Sequence, residues 1–146
     1  MNGKFKQAIT GGLVATVAFT LMTFIAPLMG MPKMSPPEML AMMMGVPVVV
    51  GWIMHFMIGM IFALVYTYIF IDMLKKMQSL VVRGVVFGIT LFIVAQIMIP
   101  LMGSLFHAAP MMGNKMLMIV GSLLGHVVFG IVVALMIKPG QEQKQD

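Results

Sequence analysis

The sequence contains no cysteine and few charged residues, and both shortages exclude large classes of protein. Without cysteine there is no disulfide, Cys-ligated zinc, iron–sulfur cluster or thiol catalysis, so a bound metal would need His, Met or carboxylate ligands. Nine Lys or Arg and four Asp or Glu occur in 146 residues, of which 61% are hydrophobic. This composition is too apolar for a water-soluble domain. We therefore expect a single domain with the lipid bilayer as its main solvent.

The scarcity of acidic residues also excludes the common catalytic sites. Asp72 and the two acidic residues of the C-terminal tail are expected on one side of the membrane, and Glu38 belongs to a predicted helix start. No Ser/His/Asp set and no pair of carboxylates can be assembled from them. Phosphate-binding loops are missing too. The sequence therefore gives no reason to expect an enzyme.

Four apolar stretches are long enough to cross the membrane, which takes roughly 20 helical residues. They cover residues 8–29, 47–71, 80–102 and 116–137, and none contains an acidic residue. Seven of the nine cationic residues, Arg83 among them, flank these stretches on the side of the two termini. By the positive-inside rule, both termini and the 72–79 loop are expected in the cytoplasm. The net charge of +5 thus indicates orientation, and no nucleic-acid partner is expected.

The aromatic residues of the second span fit the same topology. Trp52 lies near its outer end, and Tyr66 and Tyr68 lie near its inner end. Amphipathic rings concentrate where a span meets the headgroups. We expect all three in the interfacial aromatic belts.

The spans match one another in pairs, which predicts an internal duplication. The first span matches the third through Gly11 with Gly84 and through the PLMG runs at 27–30 and 100–103. The second matches the fourth in the pattern H-x3-G-x3-A-L, which begins at His55 and at His126. Copies with an even number of spans enter the membrane from the same side and are related by an axis along its normal.

The predicted fold is therefore all-α, a four-transmembrane-helix bundle from a duplicated two-helix unit, with a pseudo-twofold along the membrane normal. Repeat 1 covers about 8–71 and repeat 2 about 80–137, and a disordered cytoplasmic tail follows at 138–146. Stripes of small or polar residues at helical spacing should face the interior of the bundle, because lipid offers them no hydrogen-bond partners. The stripes are Gly51, His55, Gly59 and Ala63; Ser122, His126, Gly130 and Ala134; and Gly12, Thr16, Thr20 and Thr23.

A short outer helix is predicted over 36–44. Ser35 precedes Pro36, and Glu38 stands three residues after Ser35, which is the pattern of an N-cap with a capping box. Gly45 and Pro47 then end the helix. It is too short to span, so we expect it in the outer interface.

The paired histidines are the most specific candidate site, since an ionisable side chain inside a span is costly. His55 and His126 could be the two axial ligands of haem b, with Gly51, Gly59 and Gly130 clearing room for the porphyrin. Lys33, Lys115 or His107 would then meet the propionates. The alternative is that each histidine bonds a backbone carbonyl, a Thr hydroxyl or Gln96 and only fixes the helix register.

Methionine supplies a second candidate site. Of 21 methionines, 13 fall in the windows 29–44 and 98–118 on the predicted outer face. Thioethers and imidazole are soft ligands that suit Cu(I), although methionine is also an ordinary flexible filler of apolar gaps. The candidate copper ligands are Met29, Met31, Met34, Met102 and His107.

The motifs GMPKM and GWIMHFMIG, with GH-x3-G in the fourth span, resemble a group of small bacterial four-helix membrane proteins known as a domain of unknown function. The likeness covers almost the whole chain. It implies a multi-pass protein of the bacterial inner membrane and supplies no catalytic residues.

Three functions follow as expectations. The first is a non-enzymatic membrane protein that binds a redox cofactor, foremost haem b, as an accessory to a respiratory or other membrane complex. The second is a Cu(I)-handling protein that uses the outer methionines. The third is a structural or assembly subunit.

Overall fold

The computed structural model describes residues 3–106 and 114–137, and the described part is helical without any strand. Five helices follow one another along the chain. They are α1 (Gly3–Ile25, continued by a 3-10 turn at Ala26–Met29), α2 (Pro36–Met44), α3 (Val48–Val65, continued to Met73), α4 (Leu80–Leu105) and α5 (Lys115–Met136). The predicted tail at 138–146 and His107 lie outside the described residues.

Four of these helices are long and apolar enough to cross a membrane. The segments are Gly3–Met29, Val48–Met73, Leu80–Leu105 and Lys115–Met136. Large apolar side chains such as Leu21, Ile53 and Ile97 are more than half exposed on the outside of the bundle, as expected where lipid replaces water. The prediction of a multi-pass, all-α membrane protein is therefore confirmed, whereas the sidedness of the termini stays a prediction.

Proline and glycine set the boundaries at one end of the bundle. Gly30 follows the 3-10 turn and Gly45 follows α2. Both adopt positive φ angles, 81° and 64°, which residues other than glycine rarely adopt. We call this end, with residues 26–47, the α2 end. The opposite end, with residue 3 and the 74–79 loop, is the terminal end.

Helix α2 covers the predicted residues, but its predicted capping box does not form. Ser35 occupies the N-cap position with extended backbone, yet its hydroxyl makes no cap hydrogen bond. Pro36 and Pro37 stand at the first helical positions and have no N–H to be capped. Two of the orphan donors of the helix start are therefore absent from the outset, which reduces the number of groups that a cap would have to satisfy.

The four spans pack in the order α3, α1, α5, α4. Two hairpins can be distinguished, α1 with α3 and α4 with α5, and the backbones of the two helices approach closely in each. A Cβ on Gly12 of α1 would lie 2.8 Å from the Met60 Cα of α3, and a Cβ on Gly84 of α4 would overlap the backbone at Ile131 of α5. Such contacts need small residues on both helices. Both hairpins thus pack through glycine, while the duplication that would relate them stays a prediction.

The predicted polar stripe of α1 does face the interior. Thr16, Thr20 and Thr23 are buried, and each hydroxyl donates to a backbone carbonyl three or four residues earlier in its own helix. The helix thereby satisfies its own hydroxyls inside the bundle. Gln96 is only half-buried and forms no hydrogen bond within the described part of the chain.

One prediction for the terminal end is wrong: Tyr66 is fully buried against Phe87 instead of lying in an aromatic belt. Arg83, predicted only as a flanking cation of this end, is 7% exposed. The Arg83 guanidinium donates to the carbonyls of Met77 and Lys75, so it ties the 74–79 loop to α4. The chain here forms a five-residue π-helical segment, Tyr66–Phe70, which turns the Tyr66 and Phe70 rings onto Phe87.

Candidate functional site

His55 bridges two spans. The residue is half-buried on α3, and its Nε2 lies 3.1 Å from the Thr20 hydroxyl of α1. Thr20 has one hydroxyl proton and donates it to the Thr16 carbonyl over 2.8 Å. The His55 Nε2–H must therefore donate to Thr20, which leaves the lone pair on Nδ1. The alternative prediction is that each histidine bonds a backbone carbonyl, a Thr hydroxyl or Gln96 and only fixes the helix register. The His55 bond to the Thr20 hydroxyl agrees with it.

His126 is bonded within its own helix. Its Nδ1 lies 2.7 Å from the backbone carbonyl of Ser122, and a carbonyl oxygen can only accept. The ring is therefore protonated at Nδ1, and Nε2 carries a lone pair without a partner within the described residues. A metal-binding histidine is usually oriented in this way, with one ring nitrogen donating to a carbonyl and the other free for the metal.

The two imidazoles lie on either side of one phenylalanine. The Phe19 ring of α1 packs at 5.8 Å from the His55 ring and at 5.2 Å from the His126 ring, centroid to centroid. Trp52 lies beside His55, and Phe92 lies beside His126, each at 6.3 Å. The structure thus brings the predicted histidines into one aromatic cluster, on helices that both pack against α1.

The three glycines predicted to clear room for a porphyrin are filled by neighbouring helices. Gly51 faces the Pro37 carbonyl of α2, Gly59 faces the Thr16 side chain, and Gly130 faces the backbone of Gly84 and Gly88. Their role in this structure is close helix packing.

This arrangement does not fit haem b between the two histidines. His55 uses its Nε2 for Thr20, the Phe19 ring packs against both imidazoles, and the glycine faces are closed. Haem ligation by this pair would require those side chains to move. It stays a prediction that the geometry does not favour.

The methionines of the 30–35 loop form the second cluster. A Cβ built on Gly121 of α5 would lie 3.1 Å from the Met34 sulfur and 3.6 Å from the Met31 sulfur. Both thioethers therefore converge on one point over a buried glycine, about one turn before Gly125 on the same helix. We call this pair, Met31 and Met34, the thioether pair.

The other predicted copper ligands are placed differently. Met29 is 63% exposed on the 3-10 turn, Met102 is half-buried in the last turn of α4, and His107 lies outside the described residues. The many methionines in the sequence gave no signal that would single out Met31 and Met34. Their sulfurs lie over the face of Gly121 that has no side chain, and this contact exists only when the 30–35 loop packs against α5.

A cavity of about 230 Å³ lies beside the thioether pair, between α1, the 30–35 loop, α2 and α3. We call it the α2 cavity. Its lining is Thr20, Thr23, Phe24, Pro27, Lys33, Met34, Ser35, Pro36, Pro37 and Trp52. Met34 thus touches both Gly121 and the cavity, and His55 stands behind the Thr20 wall. The sequence predicted the histidines and the threonine stripe but not Phe19 or this cavity.

Comparison with known proteins places the chain in a family without assigning an activity. The chain belongs to a family of unknown function, DUF6789, whose model matches residues 3–146. This agrees with the expected resemblance to a membrane protein family of unknown function. No curated protein and no solved structure matches the chain.

Proposed function

We propose that this member of a family of unknown function is a non-enzymatic membrane protein that binds Cu(I) at the thioether pair. The observation that carries the proposal is the convergence of the Met31 and Met34 sulfurs on Gly121. Two flexible side chains from one short loop are directed to the same point on another helix. A metal ion that prefers thioethers would find two ligands already close together there.

The chemistry of the neighbourhood favours a soft, singly charged ion. Thioether and imidazole ligands suit Cu(I), whereas Mg²⁺ and Ca²⁺ require oxygen ligands. Within residues 3–106 and 114–137, no three His, Asp or Glu side chains come together as a site for a metal ion. The ligands available around Gly121 are therefore of the soft type.

His126 supplies the third ligand of the proposed site. It lies five residues after Gly121, about 1.4 turns or about 7.5 Å along α5, and its Nδ1–H donates to the Ser122 carbonyl, so the Nε2 lone pair is free. Its environment is aromatic, through Phe19 and Phe92, which keeps water away from a bound ion. His55 keeps a lone pair on Nδ1, but it is not assigned as a ligand because it lies on α3 with its ring bonded to Thr20 of α1, whereas the sulfurs converge on Gly121 of α5.

The test is an anaerobic Cu(I) titration of detergent-purified protein against a competing colorimetric chelator. We expect one Cu(I) per chain. Met31→Leu and Met34→Leu should each weaken binding by at least about tenfold, because even the loss of an outer-shell contact to a metal site costs that much. Leucine keeps the apolar volume, so the fold should survive.

Met29→Leu and Met42→Leu are the matched controls, since both side chains are more than 60% exposed and lie at the same end of the bundle. They should bind Cu(I) as the wild-type protein does. Uptake that is unchanged in the pair variants, or equal loss in the control variants, would overturn the proposal. An optical spectrum of the same preparation, purified from haem-replete cells, tests the haem prediction: a Soret band lost in His126→Ala would replace the copper assignment.

A further inference from the structure

We infer that the α2 cavity binds the phosphate headgroup of an anionic lipid. The site is separate from the proposed copper ligands, except that Met34 forms part of its wall. The inference does not depend on copper binding, and it rests on space, charge and the apolar surfaces around the cavity.

The α2 cavity has room for a headgroup. Its volume of about 230 Å³ exceeds the roughly 30 Å³ that one water occupies in the liquid several times over. The prolines at 27, 36 and 37 and the Trp52 ring form much of its wall, and these rigid groups cannot collapse into the space. A molecule larger than water can therefore enter without a change of fold.

The charge of the lining selects an anion. Lys33 is the single charged residue among the lining residues, and no ion pair holds it within the described part of the chain. The Ser35 hydroxyl also lines the cavity and is not used to cap α2, so it is available as a donor. An ammonium and a free hydroxyl at one rim match the oxygens of a phosphate.

The apolar part of the lining indicates an amphiphile instead of a free ion. Phe24 lines the cavity and is 59% exposed on the side of α1 that faces outward from the bundle. The cavity thus reaches the lipid-facing surface at Phe24 and the polar surface at Lys33. A lipid whose phosphate contacts Lys33 can extend its acyl chains along α1. A free phosphate has no apolar part that could contact Phe24.

The position along the spans agrees with this occupant. The α2 cavity lies at the end of the bundle where α1 gives way to the 3-10 turn and α2 begins. Helix α2 has nine residues, which is too short to cross a bilayer. A phosphate held there would lie at the level of the headgroups on that side.

Trp52 allows a direct test, because it is the single tryptophan of the chain and it lines the cavity. The protein is reconstituted in phosphatidylcholine bilayers that contain a fraction of brominated lipid. In one sample the brominated lipid is phosphatidylglycerol, and in the other it is phosphatidylcholine. Bromine quenches tryptophan fluorescence on contact. We expect stronger quenching by the anionic lipid, and about a fivefold loss of that preference in Lys33→Gln, the contribution of one cationic residue close to an anionic lipid surface.

Lys115→Gln is the matched control, since Lys115 is exposed at the start of α5 on the same end of the bundle but does not line the cavity. It should keep the wild-type preference, as should Lys33→Arg. Equal quenching by the two lipids, or an unchanged preference in Lys33→Gln, would overturn the inference. If inorganic phosphate changes the Trp52 fluorescence more than chloride of the same ionic strength while the two brominated lipids quench equally, the site takes free phosphate and the lipid assignment is wrong. Copper titration of Lys33→Gln should match the wild-type protein, so a failure here is distinguishable from a failure of the copper proposal.

Discussion

The two hairpins of the bundle, α1 with α3 and α4 with α5, pack alike but hold their histidines differently. In each, a glycine on the first helix meets a glycine on the second, Gly12 with Gly59 and Gly84 with Gly130. In the first hairpin the histidine bonds across to the other helix, whereas in the second it bonds its own backbone. Each imidazole keeps one nitrogen with a lone pair, Nδ1 in His55 and Nε2 in His126, but only the His55 ring links two spans.

The connections of the two hairpins also differ. The first contains the thioether pair and the ordered helix α2, which packs on α3 through Ala41 next to Gly51. Met31 and Met34 do not stay within their own hairpin but reach Gly121 on α5. The proposed copper site thus takes its sulfur ligands from one hairpin and its imidazole from the other.

The largest expected effect concerns the shared glycine contacts. We expect Gly84→Ala to destabilise the protein by about 3 kcal/mol and Gly12→Ala by about 2 kcal/mol, since an added Cβ at either position meets backbone that cannot move aside cheaply. Gly103→Ala is the control, because a Cβ there meets nothing within 4 Å. The free energy of unfolding of the three variants is measured in mixed detergent micelles. A Gly84→Ala variant as stable as Gly103→Ala would show that close packing is not common to both hairpins.

The second prediction separates the two histidines. Removal of the Thr20 hydroxyl by Thr20→Val should cost about 1 kcal/mol, as is usual for a hydrogen bond between membrane helices. Ser122→Ala should cost less than about 0.5 kcal/mol, since it removes only the hydroxyl at 3.4 Å from His126 Nδ1 and keeps the backbone carbonyl at 2.7 Å.

Double-mutant cycles make this comparison independent of packing losses. The coupling free energy of Thr20→Val with His55→Phe should be about 1 kcal/mol. That of Ser122→Ala with His126→Phe should be well below this value, since the Ser122 hydroxyl is only a long second partner of His126 Nδ1, at 3.4 Å. Equal coupling in both cycles would remove the distinction between a histidine that links two spans and one that does not.

The smallest expected effect lies at the terminal end, where the hairpins meet through Tyr66 and Phe87. The Tyr66 hydroxyl is buried without a hydrogen-bond partner in the described structure, and such a group costs free energy. Tyr66→Phe should therefore leave stability unchanged or raise it by up to about 1 kcal/mol. Tyr68→Phe, at a half-exposed position, should change nothing measurable. A marked loss of stability in Tyr66→Phe would show that the hydroxyl has a partner in the membrane.

The spans and α2 could be predicted because their signals are local. The length of an apolar run decides whether it crosses a bilayer, and proline and glycine mark where α2 starts and ends. The surroundings of Arg83 could not be predicted, since a cation at a helix end has the same sequence pattern whether it meets solvent or loop carbonyls. Tyr66 was misplaced for a similar reason: the π-helical turn and Phe87, which is distant in sequence, decide the direction of its ring.

The candidate site was predictable only in part. His55 and His126 stand out because ionisable residues are rare in spans, but the two hydrogen bonds that give them different tautomers depend on neighbours that sequence does not reveal. Phe19 lies among many apolar residues and carries no signal of its own. Among thirteen methionines in two windows, the choice of Met31 and Met34 depends on the packing of a loop against α5.

X-ray absorption at the copper edge tests the central claim most directly. The protein, loaded with one equivalent of Cu(I) under anaerobic conditions, is measured beside its His126→Ala variant. The proposed site predicts sulfur scatterers from Met31 and Met34 together with one imidazole nitrogen, and the nitrogen signal disappears in the variant while the sulfur signal remains. A first shell of oxygen or nitrogen without sulfur would contradict the assignment of the thioether pair as the copper site.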